Sequence, residues 1–208
     1  MNRKFIAKSN FVLRRVLNAE ENIDILKEII ESILDIKIKE AKINPYLEKL
    51  KNKLPSKENF GIADLRVRTI DNQELNIGIQ ILDGEHIATK ILLYFTQLHI
   101  GQVEYDDNRE ITKTTTINIL DFKFLNNNKY HTKMTIREDS VNTIEEYLEL
   151  HIIELPKYKE NNIQEMTVKE AWINYFKGEN IKESMQVSDK IEKIDRLLNK
   201  YWYEETME

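Results

Sequence analysis

Apolar and polar residues alternate with two different periods along this chain, and the switches between the periods divide it into elements. Ile23, Leu26, Ile29, Ile30, Ile33 and Leu34 recur every three or four positions, the spacing of a helix with one buried face. Asn18 stands before them with Glu21 three residues on, which predicts a capping box at the helix start. A shorter helix is predicted over Asn10–Leu17. Ile36, Lys37, Ile38 and Lys39 then alternate, predicting a strand that reaches Ile43 before Pro45 interrupts it. The Lys-rich stretch from Leu47 to Lys57 reads as a loop or a short helix.

Strict alternation returns from Ala63 onward. Leu65, Val67 and Thr69 fall on one face of a strand, and Asp64, Arg66 and Arg68 on the other. A turn at Asp71, Asn72 and Gln73 leads to a second strand. There Leu75, Ile77, Ile79 and Ile81 share a face, with Asn76, Gly78 and Gln80 opposite. Asp83 fits the N-cap of a long helix running through about His99, whose buried stripe is Ile87, Ile91, Tyr94, Phe95 and Leu98. Gly101 is where that helix is expected to stop. Thr112–Phe124 reads as a long strand, Tyr130–Ile136 as a shorter one, and Tyr147–Leu155 as a third that ends at Pro156. From about Glu165 the chain is helical, with Ile191, Ile194, Leu197 and Leu198 as an apolar stripe. The core order is helix, three strands, helix, strand, which predicts an α/β fold with a mixed sheet flanked by helices.

Composition narrows the setting. An apolar share of 41% is enough for a globular core, and 5 Gly with 3 Pro leave no Gly/Pro-rich linker. The expected division is one domain over residues 1–158 and a helical extension over 159–208 packed on it. With no Cys there is no disulfide framework and no thiolate metal site, which fits a reducing, cytoplasmic setting. No secretory signal and no membrane-spanning run is evident. The net charge of -5 opposes nonspecific DNA binding by the whole surface, but the charge is uneven. Residues 1–57 carry 13 Lys/Arg against 8 Asp/Glu, a basic third that suits phosphate or is simply a solvated Lys-rich surface.

Chemistry-bearing residues are few. His86 and His99 lie 13 positions apart on one predicted helix and cannot share an ion, and His131 and His151 read as strand residues. Trp172, Tyr175 and Phe176, and Tyr201, Trp202 and Tyr203, suit base stacking or, more commonly, helix packing. No Gly-rich phosphate loop and no nucleophile elbow occurs. The acidic strand pair is the distinctive feature: Asp64 on the first strand, Gly78 and Gln80 on one face of the second.

These two strands resemble the core of the PD-(D/E)XK nucleases, in particular the transposase-like, recombination-promoting branch. That branch carries an Asp on the first strand and Glu-x-Gln on the second; here Asp64 and Gln80 match, and Gly78 stands where the Glu would be. Lys90 and Tyr94 match the basic residue and the Tyr of the following helix. Gln97–Tyr105, Ile117–Phe122, Leu148–Leu155 and the opening Ser9–Arg15 resemble further family stretches, with Asn10 where relatives often carry Asp. The resemblance spans most of the chain and implies a restriction-endonuclease-like αβββαβ core with extra strands and a C-terminal helical segment.

It also implies a Mg²⁺-dependent DNA endonuclease lineage tied to DNA recombination and mobile elements. Asp64 would be a weak metal ligand, Gly78 the place of the missing Glu, Gln80 the residue beside the attacking water, and Arg66 and Lys90 the contacts to DNA. One carboxylate and an amide make a poor Mg²⁺ site, because that ion prefers an octahedral oxygen set with one or two carboxylates. Hydrolysis is therefore expected to be impaired, with Mg²⁺ needed if activity persists and no cofactor otherwise. A Glu returned to residue 78 is expected to strengthen ion binding. A relocated acid has weak candidates. Glu74 has the right parity but lies four residues away, about 13 Å at strand rise. Asp83 has the wrong parity, and Glu85 would have to reach from the helix start. The plain readings stay open: Asp64 paired with Arg66 or Arg68, and Gly78 marking a bulge or a close approach. The alternatives to a nuclease are a pseudoenzyme that binds nucleic acid or protein through the old cleft, and a structural subunit forming homo-oligomers through its C-terminal helices.

Overall fold

The computed structural model describes residues 10–43, 63–82, 85–105, 112–135, 148–160 and 162–206. Its centre is a six-stranded sheet in the order β1-β2-β3-β4-β6-β5. The strands are β1 (Ile38–Ile43), β2 (Ala63–Thr69), β3 (Glu74–Leu82), β4 (Lys113–Leu120), β5 (His131–Thr135) and β6 (Leu148–Glu154). β1, β2 and β3 form an antiparallel meander. β3, β4 and β6 run parallel, and β5 closes the far edge antiparallel to β6. Helix α3 (Ile87–Tyr105) is the crossover that a parallel β3–β4 pair requires.

One sheet face carries the main core. Leu65, Val67, Ile77, Ile79, Ile117 and Ile119 are buried on it, as their alternation in sequence demands. Helices α1 (Asn10–Leu17) and α2 (Ile23–Leu34) cover it together with α4 (Val168–Lys177), α5 (Ile181–Val187) and α6 (Asp189–Thr206). Ile25, Leu26, Ile29, Ile30 and Ile33 are the buried stripe of α2, each worth about 1.5–3 kcal/mol on removal from water. α2 ends where Asp35 turns left-handed at φ 55°. α4 opens on a capping box of Thr167 and Glu170 and closes on Gly178 at φ 72°. Trp172, Tyr175 and Phe176 are buried in mutual ring contacts, so packing is their role. Ile191, Ile194 and Leu198 are likewise buried inside the chain, with Leu197 partly buried beside them. No helix among the described residues is long and apolar enough to cross a membrane.

Several boundaries differ from the expected ones for physical reasons. Asn18 does not cap α2: its side chain donates to the Arg14 carbonyl, and a 3-10 turn at Glu20–Asn22 intervenes. α3 runs past Gly101 to Tyr105, because the Gln102 side chain is tied to Thr112 and to Thr114 Oγ1 at the start of β4. β4 stops at Leu120, since Phe122 and Leu125 turn inward to pack on Ile87, Ile91 and Ile152. The turn between β2 and β3 falls as expected, with Asn72 at φ 62°. The expectations for Leu47–Lys57, Asp83, Ile136 and Tyr147 concern positions outside the described residues.

Candidate functional site

The second sheet face, under α3, is polar where the first is apolar. Antiparallel pairing puts Asp64 directly across from Gly78. Directly opposed residues share a face, so residue 64 belongs to the face of Asn76, Gly78 and Gln80. Parallel pairing extends that face to β4, with Thr116 beside Gly78 and Asn118 beside Gln80. Arg66, half-buried, follows Asp64 on the same face opposite Asn76. Lys90, also half-buried, lies one turn before Tyr94 on α3. The sequence-predicted residues Asp64, Gly78, Gln80 and Arg66 thus share one face of two neighbouring strands.

Burial drives most polar groups on this face to find a partner. Asn76 Nδ2 donates to the Leu98 carbonyl at 3.0 Å, joining β3 to α3. His99 Nδ1 lies 2.9 Å from Thr114 Oγ1, and burial lowers the His99 pKa. Asn118 is fully buried and donates to the His151 carbonyl at 3.0 Å and to Thr116 Oγ1 at 3.1 Å. A carbonyl only accepts, so Asn118 presents its NH₂ there and its Oδ1 to Gln80. Gln80 must then donate through Nε2, as it does. Its Oε1 is left buried with no hydrogen-bond partner among the described residues.

Gly78 faces no open cleft. A Cβ built there would lie 2.8 Å from both Tyr94 Cε1 and Leu98 Cδ2, and closer still to Tyr94 Oη. Tyr94 is itself buried and donates to the Ala63 carbonyl at 3.3 Å, so its ring is held in place. The close-approach reading of Gly78 therefore applies, with side chains of α3 as the approaching group. A Glu at residue 78 would thus have to shift Tyr94 or Leu98 to enter this face.

The described residues of this face offer Mg²⁺ little. Residue 78 offers no oxygen and no space, and Gln80 offers one neutral oxygen. Among the described residues no group of three or more His, Asp or Glu could hold a metal. Two of the alternative acids are described. Glu74 is exposed and paired with Arg68 at 2.7 Å. Glu85 is exposed ahead of α3.

A second polar cluster lies toward the far edge of the apolar face. Lys169 Nζ contacts His131 Nδ1 at 2.8 Å, His131 Nε2 meets His151 Nδ1 at 2.8 Å, and His151 Nε2 meets Glu149 Oε1 at 2.7 Å. An ammonium only donates, so both imidazoles are neutral and carry their proton on Nε2. Burial, then Lys169 and His151, push the His131 pKa down to about 4. Burial alone would raise the Glu149 carboxyl, but hydrogen bonds from His151, Lys113 and Lys133 outweigh it and hold the group well below its ordinary range. Sequence reading placed both histidines on strands yet missed their meeting. The signal was Glu149 and His151 two apart on one strand, with His131 on its antiparallel partner.

The family described as PD-(D/E)XK nuclease family transposase matches residues 7–207. Neither a curated protein nor a solved structure matches the chain.

Proposed function

The chain belongs to the PD-(D/E)XK nuclease family transposases, and from that premise we propose a member that keeps the lineage's DNA partner while phosphodiester hydrolysis is impaired. The observation that carries this reading is the packing of Tyr94 and Leu98 over Gly78. Loss of one acid removes a ligand. Closure of the vacated volume removes the room in which another could act.

In the family's chemistry a divalent ion activates water and neutralises charge on the phosphoryl oxygens. In this chain Asp64 is the surviving carboxylate at the matched positions. Gln80 supplies a neutral acceptor whose orientation Asn118 fixes. Arg66 and Lys90 are proposed as phosphate contacts, a role that needs only positive charge.

Supercoiled plasmid nicking in Mg²⁺ or Mn²⁺ tests the proposal. The natural protein should nick no faster than Asp64→Ala, while both bind DNA with an affinity that falls as salt rises. Strong cleavage that disappears in Asp64→Ala would overturn the impairment. Absence of any salt-sensitive DNA binding would leave the protein-interaction reading in its place.

A further inference from the structure

We propose that the β4–β5 connection, residues 121–130, is a preformed loop that engages a DNA strand with unstacked bases. The inference rests on the DNA-binding reading above and adds the surface and the form of DNA.

The loop is held from below. Glu154, fully buried at the end of β6, accepts from the backbone N–H groups of Phe124 and Leu125. Its second oxygen pairs with Lys157 at 2.7 Å. Lys157 in turn donates to the Leu125 carbonyl at 2.6 Å. Asn127 Oδ1 closes a local turn by accepting from the Lys129 N–H at 3.0 Å. Phe122 and Leu125 anchor the loop in the small apolar cluster with Ile87 and Ile91 of α3. A buried carboxylate is costly unless its oxygens are satisfied, and here the satisfaction comes from the loop's own amides. The result is a connection fixed in one shape.

What that shape presents is chemically specific. Phe124 stands out to solvent between the two inward anchors, 38% exposed. Lys123, Asn126, Asn128 and Lys129 are exposed beside it. Neither Lys123 nor Lys129 makes an ion pair with a described residue. An aromatic face accepts any base by stacking, the lysines suit phosphates, and the asparagine amides offer both donors and acceptors. Duplex DNA hides its base faces, so the exposed ring favours single-stranded or unpaired DNA. The loop also lies at the carboxyl ends of the parallel strands β4 and β6, the end of the sheet toward which Gln80 lies on β3, where α/β sheets commonly bind ligands.

Fluorescence anisotropy with a 20-nucleotide single strand and the matching duplex tests this on the full chain. The natural protein should prefer the single strand. Phe124→Ala should weaken single-strand binding about five-fold or more and remove the preference, with the salt slope unchanged. Lys123→Ala with Lys129→Ala should lower the salt slope by about 1.4, roughly 0.7 per lost phosphate contact. Lys182→Ala, an exposed lysine on α5, is the control. DNA binding by the natural protein that neither loop variant alters would overturn the loop assignment and leave the DNA reading standing. No binding to either form of DNA would overturn both.

Discussion

Tyr94 and Gly78 are fitted to each other: the tyrosine ring occupies the volume into which any side chain at residue 78 would grow, and its hydroxyl is anchored on the Ala63 carbonyl of the neighbouring strand. The glycine has no left-handed φ to explain it. Its reason is space. α3 lies closely enough on β3 for Asn76 to bond the Leu98 carbonyl one turn further along. The absence of a side chain and the approach of the helix are two halves of one packing solution.

Gly78→Ala should therefore destabilise the fold by about 1–3 kcal/mol, the usual cost of overpacking a filled core. The cost should shrink in a Tyr94→Ala background, with a coupling of at least about 0.5 kcal/mol. Urea denaturation of the four proteins in the cycle measures it. Equal costs in both backgrounds would show that Tyr94 does not limit the space.

Ion binding follows the same geometry. Gly78→Glu alone should gain no Mn²⁺ affinity, because the new carboxylate must displace Tyr94 or Leu98 before it can reach Asp64. Gly78→Glu combined with Tyr94→Ala should bind Mn²⁺ more tightly than Tyr94→Ala does, since a second hard oxygen ligand is then accommodated. Calorimetric titration of folded variants separates the cases. Tight binding by the single variant would mean that α3 yields freely and that closure is no barrier.

Asn118 and Gln80 offer an independent check on the polar face. Removing Asn118 takes the acceptor from Gln80 Nε2, and a buried orphan costs about 1–3 kcal/mol. Asn118→Leu should thus be more damaging than Gln80→Leu, which deletes along with the donor an oxygen that has no partner among the described residues. The double variant should cost less than the sum of the two. Additive losses would argue against the assigned amide orientations.

The sequence reveals the strand pair and its parity well, because alternation is a local signal: Leu75, Ile77, Ile79 and Ile81 are buried together, and Asp64 is in register with Gly78. It shows a glycine where the family resemblance expects an acid, because a glycine is visible in one letter. It cannot reveal what fills the gap. Tyr94 is sixteen positions away on a helix, and its distance from β3 depends on how α3 docks. For the same reason Gly101 misled. A glycine signals a helix end only when nothing beyond it holds the helix, and here Gln102 is bound to Thr112 and Thr114. The Glu154 clamp on the β4–β5 loop was hidden too, since it joins residues about thirty positions apart.

The relay at the sheet edge gives the protein a defined response to acid. His131 is held neutral between Lys169, which donates to Nδ1, and His151, which accepts from Nε2. Protonating Nδ1 would turn a donor toward an ammonium, so the contact must break. Around it, Asp35 acts on Lys169, while Glu149 takes Lys113, Lys133 and His151. The folded value of about 4 lies below the ordinary 6.5. Between those values the unfolded chain binds a proton that the folded chain refuses, so stability is fully present above pH 6.5 and falls as the pH drops toward 4. Glu149, with its pKa depressed, adds its own loss only once the pH falls below 4.5. The His131 contribution should be roughly 1–2 kcal/mol after allowance for water at the partly exposed ring. His131→Gln keeps an acceptor and a donor but does not titrate. Urea denaturation from pH 7.5 to 4.5 should show the natural protein losing that much more than His131→Gln, and the His131 ring should titrate near pH 4 by NMR. Parallel stability profiles for the two proteins would show that His131 changes its protonation without feeling the fold.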